Sequence, residues 1–255
     1  MTAIKYVYNA NLAKGTGLIN ETLTLTEFYK EGDSKESFLN RCISHNILNK
    51  STEHRTKDII NLVFYQRYWN VDYQVVKNLK DLREYGLSLE GLKSLFYVYT
   101  ARANQVLFDF VLELGESNQN QKINNETSKS FLLRAISSLK APAWSDSIIK
   151  RVSSYLISCL KDFDLIDREG TLKMNHPNQM VVNYLLHELH FMGLSDGAIV
   201  QNKVWKLFGL SENDIITEIE KISFKGTFIF QHSGEILRIG WKYHNMDEFI
   251  ENEYR

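Results

Sequence analysis

His187, Glu188, Leu189 and His190 come nearest to a catalytic motif in this chain. A zinc-protease helix sets two histidines four apart with glutamate directly after the first, so that both imidazoles reach one metal. Here the histidines are three apart, and nothing around His176 supports it as a third ligand. They read as ordinary histidines of an amphipathic helix, with no metal expected. Lys14-Gly15-Thr16-Gly17 lacks the G-x-x-x-x-G-K-[ST] order that cradles phosphates, and reads as a turn before the first helix. There is no G-x-S-x-G element, no spaced aspartate cluster and no recognisable carboxylate pair. The expectation is a protein that is not an enzyme and has no cofactor, with a nuclease or hydrolase built from scattered residues as the minority alternative.

Cations and hydroxyls on common helical faces offer a different chemistry. Ser147, Lys150, Arg151 and Ser154 fall on one side of a helix whose other side is apolar, where they can hold phosphate oxygens. Arg168 and Lys173 sit in a short hairpin just after it, placed like a wing. A second candidate lies at Lys50, Ser51, Thr52, His54 and Lys57, whose stripe continues through Asn61, Tyr65 and Tyr68 while Ile59, Leu62 and Val63 turn to the core. A third is the strand pair Arg238 and Lys242, which alternate with Leu237, Ile239, Trp241 and Tyr243. The competing reading is a solvated helix face for the first stripe, burial of the tyrosines for the second and, favoured at the third, a partner-binding or purely structural wing.

Total charge conceals this pattern. Thirty Lys and Arg against thirty-one Asp and Glu leave a net charge of −1, which excludes a uniformly basic nucleic-acid binder. By segment, residues 1–71 carry nine basic and seven acidic groups, 72–121 five and seven, 122–176 nine and six, and 177–255 seven and eleven. The two basic segments hold the first two candidate sites. The last segment is acidic, and its helix with Glu212, Asp214, Glu218 and Glu220 would repel phosphate. Cys42 and Cys159 lie far apart in helical patterns and read as buried free thiols in a reducing cytoplasm. No apolar run approaches the roughly 18 residues of a membrane span, so no membrane association is expected.

The elements that must position these residues are mainly helical. Only Pro142 and Pro177 could interrupt a helix by their ring. The pattern predicts helices over 23–29, 38–48, 52–69, 71–85 and 89–114, with Ser34 and Ser51 as N-caps. Residues 115–130 contain one apolar residue, Ile123, and read as a linker. Beyond it come a helix over 131–139, a Pro142 turn and a helix from Ser145 to about Leu160, with Ile148, Val152, Tyr155, Leu156 and Cys159 on its buried face. A hairpin over 165–174 then completes a winged-helix order. A short helix over 203–208, a helix capped by Ser211 and a hairpin over 227–243 repeat that order. The fold class is therefore mainly α, a helical bundle with helix-turn-helix or winged-helix-like units and short β-hairpins. It divides into a helical domain at 1–116, a polar linker or loop at 117–130 and a helical domain with two hairpin units at 131–255.

The runs Trp205 to Leu210, Gly226 to Gly234 and Ile236 to Tyr243 resemble the BrxA family of bacterial BREX (bacteriophage exclusion) defence systems. Tyr184-Leu185-Leu186 with Gly193, and Arg41, Asn46, Leu48 and Thr52 within Glu21 to Arg67, are similar to the rest of the family pattern. The resemblance implies a helical accessory protein with a NusB-like, helix-turn-helix N-terminal region, associated with double-stranded DNA and with a methyltransferase and an ATPase of the defence locus. It brings no cofactor and no catalytic motif. A scaffold subunit that binds other defence proteins without intrinsic DNA binding is the alternative.

Overall fold

Side chains of serine, threonine and asparagine start most of the helices, and so set the phase of each buried face. Ser34, Thr52, Asn124, Asn178, Ser195, Ser211 and Asn245 each accept a hydrogen bond from a backbone N–H in the first helical turn. Thr52, rather than Ser51, caps the third helix. The computed structural model describes residues 6–69, 74–117, 122–174, 176–234 and 236–255. Helices are α1 (Ile19–Phe28), α2 (Lys35–Ser44), α3 (Glu53–Ile59), α4 (Tyr65–Tyr68), α5 (Val75–Glu84), α6 (Leu89–Ala103), α7 (Gln105–Glu116), α8 (Asn125–Ser137), α9 (Asp146–Asp162), α10 (Gln179–Phe191), α11 (Asp196–Val200), α12 (Glu212–Ser223) and α13 (Met246–Tyr254). Short 3-10 turns occupy Asn11–Lys14 and Lys203–Phe208, and strands β1 (Phe228–Ser233) and β2 (Ile236–Trp241) form an antiparallel hairpin. The mainly helical class is as expected.

Several local details differ from the sequence pattern. The helix expected over 89–114 breaks at Asn104, whose backbone leaves the helical region while its side chain donates to Thr100 O. Residues 125–130, read as linker, open α8, because Asn124 and Thr127 form a reciprocal capping box. Ile123 is buried too, donating its N–H to Gly170 O at 2.8 Å. The hairpin expected over 165–174 reduces to one bridge, Ile166 with Leu172, closed by the Asp167 carboxylate on the N–H groups of Glu169 and Thr171. The expected start of the fourth helix, 71–73, lies outside the described residues.

The chain forms two compact units, each drawn from two stretches. The first comprises 1–69 and 96–175, the second 70–95 and 176–255. In the first, Phe38, Phe64, Tyr68, Phe96, Phe110 and Phe131 are buried, with Phe38 stacked on Phe64 at 5.8 Å. Buried Arg67 donates to the carbonyls of Gly15 and Thr16, and Asp162 accepts the Gly17 N–H at 2.7 Å, so the glycine turn ahead of α1 is a packed strap. In the second, α10 carries nine consecutive buried residues, Val181 to Leu189, under α12 and α13. His187 stacks on Phe249 there at 3.7 Å.

Candidate nucleic-acid interface

Helix α9 is built to show one polar face. Its buried side holds Ile149, Val152, Ser153, Leu156, Ile157, Cys159 and Leu160. That face is rotated from the one expected: Ile148 and Tyr155 are half-exposed, and Ser153 is buried in their stead. The cause is the α8 crossing, where Ser128 and Ser153 bring their hydroxyls within 2.5 Å and Ser153 Oγ donates to Asn125 O. Two serines with mutual hydrogen bonds satisfy each other in the core, which a hydrophobic periodicity cannot foresee. Ser145 occupies the N-cap position of α9, but its hydroxyl pairs with Ser147 Oγ rather than with the helix.

The rotation places Tyr155 among the cations. Ser147, Lys150, Arg151 and Ser154 line an open concavity of about 470 Å³ together with Tyr155 and Ser158. A neighbouring depression of about 490 Å³ lies between α8 and α9, lined by Lys129 and Glu126 from α8 and by Asp146, Lys150 and Ser154 from α9. Lys150 and Ser154 belong to both. Tyr155 and Lys129 are not among the sequence candidates, because the apolar periodicity puts Tyr155 in the core and the polar run puts the start of α8 in a linker.

Pairing separates the candidates. Among the described residues, Lys129, Lys150, Arg151, Lys161, Arg168 and Lys173 are exposed and none forms an ion pair or side-chain hydrogen bond. Their charges are therefore available to a ligand. Arg168 and Lys173 flank the turn that follows α9, where Asp167, held below the usual carboxylate range by the Thr171 and Glu169 N–H groups, fixes the backbone. At the N-terminal candidate the cations are taken. Lys50 bonds Glu21 at 2.7 Å, Lys57 bonds Glu53 at 2.6 Å, and His54 faces Asp58 at 3.9 Å. Ser51 is exposed, and Thr52 spends its hydroxyl as a cap on the Arg55 N–H.

The stripe expected beyond Lys57 does not continue. Residues Ile60–Phe64 form a π-helical turn in which Tyr65 N–H reaches back five residues to Ile60 O. One extra residue in a turn shifts everything after it by about 100° around the axis. Tyr65 and Tyr68 consequently enter the core, and Leu62, expected inside, is exposed. In the second unit Arg238 is exposed on β2, while Lys242 lies over the Tyr243 ring at 4.9 Å. The structure thus brings Ser147, Lys150, Arg151 and Ser154 together, and puts the α3 and β2 candidates on separate elements.

The histidine pair finds its account in packing. His187 is fully buried, its Nδ1 donates to Asn183 O at 2.9 Å, and burial pushes its pKa down to about 3. His190 stacks on Trp241 at 4.2 Å. Among the described residues no group of three or more His, Cys, Asp or Glu could hold a metal, and no helix is long and apolar enough to cross a membrane. Burial raises both thiols, Cys42 and Cys159, to about 12.

A family model, BrxA, matches residues 7–188. The runs beyond Trp205 that carried the resemblance in sequence lie outside the matched stretch. No curated protein matches the chain. A crystal structure of an uncharacterized protein from Magnetospirillum magneticum superposes with a TM-score of 0.60 at 14% identity, covering 79% of this chain and 98% of that one. At that identity the likeness is one of fold.

Proposed function

The chain belongs to the BrxA family of BREX phage-defence proteins, and from that membership we propose a non-enzymatic DNA-binding accessory role, with duplex held mainly through its phosphates. The observation that carries the proposal is the set of unpaired cations on and around α9. Lys150 and Arg151 share one exposed face with the hydroxyls of Ser147, Ser154 and Ser158. Lys129 and Lys161 extend it along α8 and α9, and Arg168 and Lys173 add two cations at the winged turn. Point charges and hydroxyls of this kind suit phosphate oxygens, which position a protein on duplex without reading its sequence. The partners in this reading are double-stranded DNA and other proteins of the defence locus, a methyltransferase and an ATPase among them.

A fluorescence-anisotropy titration with a labelled duplex at several salt concentrations tests it. If four to six cations neutralise phosphates, log K falls against log salt with a slope of roughly −4 to −5. No binding at low salt, or a slope near zero, would overturn the reading.

A further inference from the structure

The two edges of the β1–β2 hairpin are finished differently. Ile239 on β2 turns its N–H away from β1 and donates it to Asp196 Oδ2 at 2.9 Å, while Trp241 Nε1 donates to the other carboxylate oxygen at 3.2 Å. Asp196 opens α11, which packs along β2 and covers that edge. In an antiparallel ladder hydrogen-bonded and non-hydrogen-bonded pairs alternate. Phe230 pairs with Ile239 and His232 with Leu237, so both pairs are of the non-hydrogen-bonded kind. Phe230 and His232 therefore aim N–H and C=O outward along the free edge of β1, where among the described residues no backbone or side-chain partner meets them. The strand reads Phe-Ile-Phe-Gln-His-Ser. It has no lysine and no proline, two of the devices by which exposed edges are commonly protected from pairing.

The surroundings specify the kind of strand that fits. Helix α12 packs on β1 and exposes Glu212 and Glu220, while Asp214 is spent on the Ser211 cap. Its two cationic neighbours are occupied, Lys221 by Glu218 and Lys225 by Gln179, each at 2.7 Å. On the outer face of the hairpin Ile229 is 68% and Ile236 66% exposed, either side of Gln231 and Arg238. We propose that the free edge of β1 takes an extended segment of a partner protein, alternately apolar and basic, as a third strand. Main-chain bonds to Phe230 and His232 hold the segment, its apolar side chains lie beside Ile229, and its basic ones reach the α12 carboxylates. A second copy fits less well, since edge-to-edge pairing would bring two acidic α12 helices together.

The test uses the full chain and a labelled Lys-Val-Lys-Val-Lys-Val peptide, with a Glu-for-Lys version and one N-methylated at alternate residues as controls. Anisotropy should show binding of the first peptide, at least tenfold weaker binding of the N-methylated one and none of the acidic one. Hydrogen exchange at the Phe230 and His232 amides should slow when the first peptide is added. His232→Pro removes an outward N–H without touching the β1–β2 ladder, and should abolish binding with circular dichroism and melting unchanged. Where that variant fails to fold, the exchange measurement on the unaltered chain decides. No binding of the basic peptide, equal binding of the N-methylated peptide, or a protein that elutes as a dimer through this edge would each overturn the proposal.

Discussion

Lys150 and Arg151 differ from Lys50 and Lys57 in that neither forms an ion pair. A cation already bonded to glutamate, as Lys57 is to Glu53, must give up that partner to meet phosphate, and its net contribution is small. Lys150→Glu with Arg151→Glu should therefore weaken duplex binding by about tenfold or more and make the salt slope shallower by about two. Arg238→Glu with Lys242→Glu should weaken it less. Anisotropy titrations of both double variants give the order, and the reverse order would move the DNA site to the β2 hairpin. His187 makes a second residue-scale prediction. Its folded pKa, about 3, lies below the ordinary value of 6.5, so the unfolded chain binds the extra proton between those values. Stability is then fully present above about pH 6.5 and is lost as pH falls, by up to about 1.4 kcal/mol for each unit. Urea unfolding from pH 7 to 4 should show a flatter dependence in His187→Phe than in the unaltered chain, and equal slopes would remove His187 from the account.

At the scale of elements, the helical class and two of the caps, Ser34 and Ser211, were legible because they depend on neighbours in sequence, whereas Thr52 caps in place of Ser51 and the Ser145 hydroxyl turns to Ser147. What was not legible arose mainly from contacts between elements. The Ser128–Ser153 crossing rotates α9 and leaves Tyr155 half-buried beside the cations; the π turn at Ile60–Phe64 is local and puts Leu62 outside, whereas burial of Tyr65 and Tyr68 is one of the two readings their spacing supports. Of the candidate sites, the Ser147, Lys150, Arg151 and Ser154 stripe could be read because long polar side chains at helical spacing need no partner to stay outside. The neutralised state of the α3 candidate could not, because Glu21 lies 29 residues from Lys50. Gly170 shows how the turn after α9 is held in place. Its φ is +84°, and a Cβ there would meet Ile123 O at 2.6 Å, the same carbonyl segment that anchors the start of α8. Gly170→Ala should cost about 1–3 kcal/mol by thermal or denaturant unfolding. It should also weaken DNA binding through displacement of Arg168 and Lys173. An unfolding midpoint equal to that of the unaltered chain would show that the turn tolerates the change.

At the scale of the molecule, the order of the chain and the order of the core are different things. A polar run such as 115–130 looks like a boundary in sequence, because it offers nothing to bury. The second unit, however, joins 70–95 to 176–255. Helix α5 buries Val75, Val76, Leu79 and Leu82 and packs on α13. Lys77 of α5 is held between Asp81 and Asp247, which raises its pKa. A chain ending at residue 175 would keep α5 and lose every element of 176–255 that shares its unit. Four buried apolar side chains would then meet water, each at about 1.5–3 kcal/mol. The truncated chain should bind a hydrophobic dye and aggregate, as read by dye fluorescence and light scattering, even if its α9 face is intact. Loss of DNA binding in such a truncation would consequently say nothing about where DNA sits. A cleaner separation comes from Lys77→Ala with Asp247→Ala, which removes the ion pair but leaves the apolar contact. That variant should melt only slightly lower and keep its affinity for duplex, whereas a large loss of affinity would mean that the second unit contributes to the DNA site.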